Sequence, residues 1–381
     1  MNDKVYERYY NRFNKFNTKV LQKLGETIKK FEGLTPTQAH ILAEELKFGA
    51  DLDELTQELS KITGKTVLDI KETLEDVAIE NVEFAEVYYK ARNMEYVPYK
   101  NQFTLQRFVN SIATQTGSTM VNIARTTGFT SKVNGRTVFK TLRQTYIDLI
   151  DEAVYNVSRG QQDYQSAMRS TIKQLANSGV KTIDYASGYS RRLDSSVRQV
   201  IMDGVSQVFD NIQQQIGDLL GTDGVEITAH ELCALDHLPY QGRQYTNKEF
   251  EQLQNSLDRP IGTYNCRHMT YRIILGVDEP SYTKNQLNEY YKNSTKPINY
   301  DGKTYTKYEA TQVQRKLETA IRRNKDAQIL AKASGDTKMV NKAQQTINKL
   351  TDKYNDFSKT AGLQTYKERL SVSGYRSVKV K

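Results

Sequence analysis

The 381-residue chain contains no tryptophan, two cysteines, four histidines and six prolines. Each shortage removes a class of explanation. Cys233 and Cys266 cannot supply the disulfide framework of a small secreted scaffold, and a lone bridge would be a weak staple here, so a reducing, cytoplasmic setting during synthesis is expected. No run of 18 apolar residues occurs, and the opening stretch MNDKVYERYYNRFNKF is charged and aromatic, so neither a membrane span nor a signal peptide is expected. With few prolines and no internal repeat or low-complexity tract, helices should seldom be broken. A phosphate-binding G-x-x-x-x-G-K-[ST] loop is missing too. The nearest approach, TGKT at 63–66, lacks the first glycine and reads as a turn and helix cap.

What is present is a chain long enough for two or three domains, with 38% apolar residues. Its 25 tyrosines favour many half-buried amphipathic contacts over a dry interior. The net charge of +9 is unevenly spread. Residues 301–381 hold 13 Lys and 5 Arg against 5 Asp and 3 Glu, a net +10, which leaves −1 for residues 1–300. Residues 1–31 carry +5 and residues 32–100 carry −8. The C-terminal excess suits a polyanion, nucleic acid first, or an acidic partner surface; a solvated helical surface explains it equally well.

Helical signals dominate the pattern. Thr35 before Pro36 is a helix start, with the helix running through AHILAEEL to about Gly49. A short helix follows from Asp51, then a longer one after Thr66 with Val67, Ile70, Leu74, Val77, Val82 and Phe84 as its stripe. Pro98 marks a break. Residues 103–127 and 137–178 read as helices, the second interrupted at Gly160, and 193–220 is a long amphipathic helix with Val197, Val200, Ile201, Val205, Val208, Ile212 and Ile216 on one face. At GTDG, 221–224, the character changes. VEITA reads as a strand, Gln241-Gly242 as a turn, 247–256 as a small helix, and Tyr264, Tyr271, Ile273 and Leu275 as a second strand region. From about 305 helices resume as a hairpin turning at SGD, 334–336, with Asp336 as a cap; RLSVSGYRSVKVK at the end is a strand or a tail. The expected fold is mainly α with a small α+β domain: a helical N-terminal region at 1–135, a long-helix region at 136–222, a compact strand-containing domain at 223–300, and a basic helical hairpin and tail at 301–381.

The rare residues concentrate in the compact domain. Of six histidines and cysteines, five (His230, Cys233, His237, Cys266 and His268) fall within it, and only His40 lies elsewhere. Three readings are open. In the first, the histidines hydrogen-bond turn carbonyls and both cysteines pack as small apolar groups. In the second, His230, His237, Cys266 and His268 are tetrahedral zinc ligands, with Cys233 a substitute for one of them; the residue types suit zinc, although H-x6-H with C-x-H is not a standard knuckle. In the third, Cys266 is a thiolate nucleophile beside a histidine oriented by Asn265 or Asp236. A metal-dependent nuclease would want converging carboxylates, and only Glu231 and Asp236 are near in sequence.

From about residue 140 the chain resembles the phage minor capsid protein 2 family. The resemblance lies in the order and spacing of SGYSRRLDSSVRQVI, VEITAHELCALDHLPYQGRQY, IGTYNCRHMTYRIILGVDEPSY and YEATQVQRKLETAIRRNK. His230, His237, Gln241, Gly242, Asn265, Cys266 and His268 fit the family's His, His-Gln-Gly and Asn-Cys-x-His positions, while Ala234 and Leu235 stand where Arg-Pro is usual, and Gly262-Thr263 where a further Cys is usual. The resemblance implies a structural minor head protein of a tailed phage rather than an enzyme. It would be present in few copies in the virion, assembled in the bacterial cytoplasm at the portal or capsid interior, with portal, major capsid or scaffolding protein as partners and a role in packaging or ejection. Genomic DNA would be met without sequence specificity, through Lys316, Arg322, Arg323, Lys325, Lys332, Lys342 and Lys349. The alternative is a virion-associated metal-dependent hydrolase or nuclease in residues 225–280.

Overall fold

The computed structural model of the chain describes residues 4–47, 50–91, 93–133, 136–159, 163–183, 189–263 and 266–379. They fall into two compact units that interleave along the sequence: Met1–Lys65, Met120–Arg198 and Gln314–Lys381 form the first, Thr66–Thr119 and Gln199–Val313 the second. The elements in chain order are α1 (Lys4–Lys30), α2 (Pro36–Lys47), α3 (Ala50–Ala91), α4 (Phe103–Arg125), β1 (Thr127–Val133), β2 (Arg136–Thr141), α5 (Leu142–Ser158), α6 (Tyr164–Ser178), β3 (Lys181–Ile183), β4 (Ser190–Arg192) and α7 (Leu193–Leu220). After them come β5 (Gly224–Ile227), β6 (Gln244–Thr246), α8 (Asn247–Ser256), β7 (Thr270–Ile273), α9 (Lys284–Thr295), β8 (Pro297–Tyr300), β9 (Lys303–Thr306), α10 (Lys307–Ala333) and α11 (Thr337–Thr360). The protein is mainly α with small antiparallel sheets, as the sequence pattern predicts. Among the described residues no helix is long and apolar enough to cross a membrane.

In the first unit, α1 buries Phe13, Phe16, Leu21, Leu24 and Ile28, a stripe at helical spacing. It meets α10 at Gly25, where an added Cβ would lie 2.6 Å from both the Ala333 Cβ and the Leu330 carbonyl oxygen. The sheet order is β2-β1-β3-β4, antiparallel throughout. Buried polar groups link its segments. Asp326 of α10, with no exposure, accepts from Asn17 of α1 at 3.1 Å and from Arg192 of β4 at 3.1 and 3.2 Å. Asp194 of α7 takes Arg322 at 3.1 Å, and Arg322 also donates to the Tyr10 hydroxyl at 2.9 Å. The hairpin turns where expected: Asp336 caps α11 by accepting from the Met339 amide at 2.9 Å, and Ile321, Ile347 and Tyr354 form its core. Among its described residues, up to Lys379, the final segment forms no strand. It is a tail held by side-chain bonds, Thr18 to the Ser373 carbonyl at 2.7 Å and the Val378 amide to Gln344 at 3.1 Å.

In the second unit, helices approach at small residues. A Cβ on Gly117 of α4 would lie 2.9 Å from Val67 of α3, and one on Gly204 of α7 would lie 2.8 Å from Thr116 of α4. The strand-containing region sits on α7 through an edge-to-face contact of Phe209 with Tyr271 of β7, ring centroids 5.4 Å apart, and through Arg272 with Gln214. Its sheet has the order β6-β5-β7.

Two expectations are corrected. Residues 137–141 are a strand, not the start of a helix: β1 and β2 form an antiparallel hairpin, and α5 begins only at Leu142, capped by Thr141. TGKT at 63–66 is neither turn nor cap but lies inside the continuous α3. Gly64 there has open space where a Cβ would be, and Thr63 returns its hydroxyl to the Leu59 carbonyl at 2.6 Å, so neither residue breaks the helix. The expected helix ends at Gly49 and Gly160 lie outside the described residues.

Removing the Asp326 carboxylate leaves the Arg192 guanidinium buried without its main counter-charge. Asp326→Ala should therefore destabilise the protein by about 3–5 kcal/mol. Urea unfolding checks it, and a loss under about 1 kcal/mol would mean that Arg192 finds another partner or water at small cost.

Candidate metal centre

β5 is buried along its length and delivers the chain to His230. Leu232 follows at φ 58°, a costly conformation for a branched side chain, and turns carry the chain past Cys233 to His237. Gly242, at φ 67°, brings it back: its amide donates to the Ile227 carbonyl at 2.8 Å, and a Cβ there would sit 2.3 Å from Leu287. β6 then leads into α8, which starts with a capping box of Thr246 and Glu249. Gln254 of α8 clamps the next loop through both backbone groups of Ile261, at 2.7 and 3.1 Å. Ile227, Leu253 and Ile261 form the small core beneath. Cys266 and His268 are held beside residue 228, with the Thr228 amide donating to the Met269 carbonyl at 2.9 Å.

These turns bring His237, Cys266 and His268 together, all buried, with one ligand atom from each lying within 4.8 Å of the other two. Cys266 Sγ is 3.4 Å from His237 Nδ1 and 3.2 Å from His268 Nδ1. The far nitrogens face oxygens. His237 Nε2 donates to the Arg259 carbonyl at 2.7 Å, and His268 Nε2 donates to Gln241 Oε1 at 3.1 Å. His230 stacks on His268 with centroids 4.6 Å apart; its Nδ1 donates to the Glu231 carbonyl at 3.0 Å, and its Nε2 is buried with no hydrogen-bond partner. The set could hold a metal ion: imidazole nitrogens and a thiolate are the donor types zinc prefers.

Electrostatics separate the two cysteines. Burial pushes the Cys266 thiol up, but the imidazoles of His237 and His268 more than reverse this and hold it at about 5. Burial pushes His237 down, and contacts with Cys266 and the Arg259 carbonyl outweigh it, so its value is raised. Burial pushes His230 down to about 4 and the Cys233 thiol up to about 12. Cys233 is buried outside the triplet, its thiol on the Ala234 carbonyl at 3.4 Å. Glu231 accepts from Asn293 at 3.0 Å, and Asp236 is paired with Arg259 at 2.7 Å while its other oxygen lies 3.8 Å from His237 Nε2, so neither carboxylate joins the ligand atoms of the triplet. Asn265 and Tyr264 lie outside the described residues. Counts of rare residues reveal the triplet; they do not reveal the Arg259 carbonyl or the role of Gln241, because a carbonyl has no sequence signature.

The seven C-terminal cations divide into two groups. Lys316, Arg323, Lys332, Lys342 and Lys349 are exposed. Arg322 serves Asp194 and Tyr10 inside the first unit, and Lys325 donates to the Leu370 carbonyl at 2.7 Å and lies over the Tyr375 ring. On α11, Lys338, Lys342, Lys349 and Lys353 are all exposed. At 3.6 residues per turn they fall within an arc of about 60°, along about 22 Å of helix.

A family model described as phage minor capsid protein 2 matches residues 7–359. No curated protein and no solved structure matches.

The two thiols should differ in chemistry. With the chain freed of metal by a chelator, alkylation of Cys266 by iodoacetamide should be nearly as fast at pH 6 as at pH 8, since its lowered value keeps it a thiolate across that range. Cys233 should stay unmodified until the protein unfolds. Peptide mass spectrometry reads both, and a Cys266 rate falling about tenfold for each pH unit below 8 would show an ordinary thiol.

Proposed function

The chain belongs to the phage minor capsid protein 2 family, and on that premise we propose that this structural phage protein works in head assembly at the portal or capsid interior and holds genomic DNA through the outer face of α11. Family membership supports a place in the virion and contact with other head proteins. The observation that carries the DNA part is the line of exposed lysines at 338, 342, 349 and 353 on one side of a long helix. Such a face meets phosphates as point charges, without reading bases. Exposed Lys316, Arg323 and Lys332 of α10 add to the same basic hairpin. Arg322 and Lys325 are spent on contacts within the chain and leave the proposed set. The division into regions 1–135, 136–222, 223–300 and 301–381 belongs to the same proposal as a functional map, with the basic hairpin as the contact region. In it, the 223–300 region is a rigid module stapled by zinc at His237, Cys266 and His268. Burial of all three ligands suits a structural ion better than a catalytic one open to substrate.

Quantitative mass spectrometry of purified virions, with cross-linking, tests the placement: the protein should be found in full heads, cross-linked to portal or capsid protein. Its absence from full heads would remove the virion role. For DNA, three phosphate contacts from Lys338, Lys342 and Lys349 predict that affinity falls about fortyfold between 50 and 200 mM salt. Replacing Lys338, Lys342 and Lys349 by Glu should abolish most of that slope, and retention insensitive to salt and to these changes would end the DNA reading.

A further inference from the structure

Taking the ion to be zinc, as proposed for the 223–300 region, we infer that four protein atoms hold it (His230 Nε2, His237 Nδ1, Cys266 Sγ and His268 Nδ1) and that Gln241 is the residue that positions two of these ligands.

The argument is a count of hydrogens. Each of the three imidazoles turns one nitrogen toward an oxygen that can only accept: His230 Nδ1 toward the Glu231 carbonyl, His237 Nε2 toward the Arg259 carbonyl, and His268 Nε2 toward Gln241 Oε1. The Gln241 amide cannot be reversed, because the same oxygen also accepts the His230 backbone N–H at 3.0 Å. Those three nitrogens therefore carry the hydrogens. In a neutral imidazole the other nitrogen is then a bare lone pair.

The centre thus contains three lone pairs and one sulfur. With the group neutral overall, Cys266 and the two rings facing it share one hydrogen, carried by sulfur or by one ring beside a thiolate, enough for only one of the contacts to His237 Nδ1 and His268 Nδ1. The other nitrogen is left against sulfur with nothing between them, and His230 Nε2, buried and without a partner, gains nothing. Protonating a further ring would bury excess positive charge, which is costlier still. One divalent cation removes the shortage, since every lone pair and the thiolate become ligands at once.

Geometry agrees. With Zn–N of about 2.0–2.1 Å and Zn–S of about 2.3 Å, tetrahedral ligand atoms lie roughly 3.5 Å apart. The N···S separations here are 3.4 and 3.2 Å. His230 lies outside the tight triplet, stacked on His268, and its ring must shift toward the ion for Nε2 to become the fourth ligand. A ring whose second N–H is held by an oxygen is the usual outer-shell arrangement of a metal-bound histidine. Three imidazoles and a thiolate select zinc over the oxygen-seeking magnesium and calcium. Gln241 is then the joint of the site, because its one oxygen fixes both the ring of His268 and the backbone of His230.

The test uses the full-length protein purified without chelator, with elemental analysis, zinc affinity by competition with a chromophoric chelator, and the visible spectrum of the Co2+-substituted form. The parent should carry one zinc per chain and give the intense bands of tetrahedral cobalt with a thiolate. His230→Ala should weaken zinc binding at least about tenfold and shift those bands as water enters the fourth position. Gln241→Leu should weaken it by about 10–100-fold, and Gln241→Glu, which restores an oxygen there, should recover most of the loss. If His230→Ala does not fold, His230→Gln keeps the bulk and is read in its place. A parent that binds neither zinc nor cobalt would overturn the zinc reading itself. One zinc per chain with affinity and cobalt spectrum unchanged in both the His230 and the Gln241→Leu variants would overturn the four-ligand assignment and leave the zinc reading standing.

Discussion

A carboxylate with no exposure, Asp326, constrains the first unit more than any apolar contact does. Apolar packing is non-directional and tolerates sliding, whereas a buried charge must meet its partners at fixed distances or unfold the region around it. Asp326 takes Asn17 from α1 and Arg192 from the end of β4, and the other face of Asn17 accepts the Val180 amide at 2.9 Å. Three segments separated by more than a hundred residues are thereby set in register. Arg192 also lies 3.6 Å from Asp194, which pairs with Arg322, so two carboxylates and two guanidiniums close a neutral group. Burial alone would raise Asp194, but Arg192 and Arg322 offset it and hold the carboxyl low.

The small domain handles buried polarity in the opposite way. Its core of Ile227, Leu253 and Ile261 is modest, and its polar cluster is short of donors, whereas the first unit's network has donors to spare, Arg192 Nε and Arg322 Nε being buried without a hydrogen-bond partner. A group whose charges cancel, as two carboxylates and two guanidiniums do there, needs no further ion. A cluster with surplus lone pairs stabilises the fold only when something electrophilic arrives, and then the binding energy becomes folding energy for the turns that carry the ligands. The strained φ of Leu232 and the crowded Gly242 lie in those turns.

Legibility from sequence follows the same physical divide. Helix α7 was readable to the residue because its stripe from Val197 to Ile212 stays in phase, and α8 because Thr246 and Glu249 announce its start. The β1–β2 hairpin was missed although Asn134-Gly135 stands between its strands in the sequence, a pair that commonly signals a hairpin; the following residues also fit a helical period running into Leu142. TGKT misled for the opposite reason, since glycine and threonine weaken a helix only where nothing else fixes it, and α3 carries Ile70, Leu74 and Ala78 into a core just beyond. The interleaving of the two units has no local signature at all. At the candidate centre, residue type and rarity pointed to the His237, Cys266 and His268 triplet, while its oxygen partners depend on a carbonyl and an amide brought in by tertiary turns. The first reading of the histidines, as partners of turn carbonyls, holds for His230 and His237, and it engages other nitrogens than those a metal would need.

Net charge was the least informative property about which cations are available. The C-terminal +10 is divided by burial: Arg322 of α10 is tied inward, whereas α11 buries Ala343, Ile347, Tyr354 and Phe357 on one face and keeps its lysines on the other. The division has a consequence for how the hairpin responds to ions. Exposed charges are screened within about 8 Å at physiological salt, while pairs removed from water are screened far less. Salt that weakens a phosphate contact on α11 leaves the Arg322–Asp194 and Arg192–Asp326 pairs nearly untouched. A contact surface on α11 can therefore be released by ions while the hairpin that presents it stays folded.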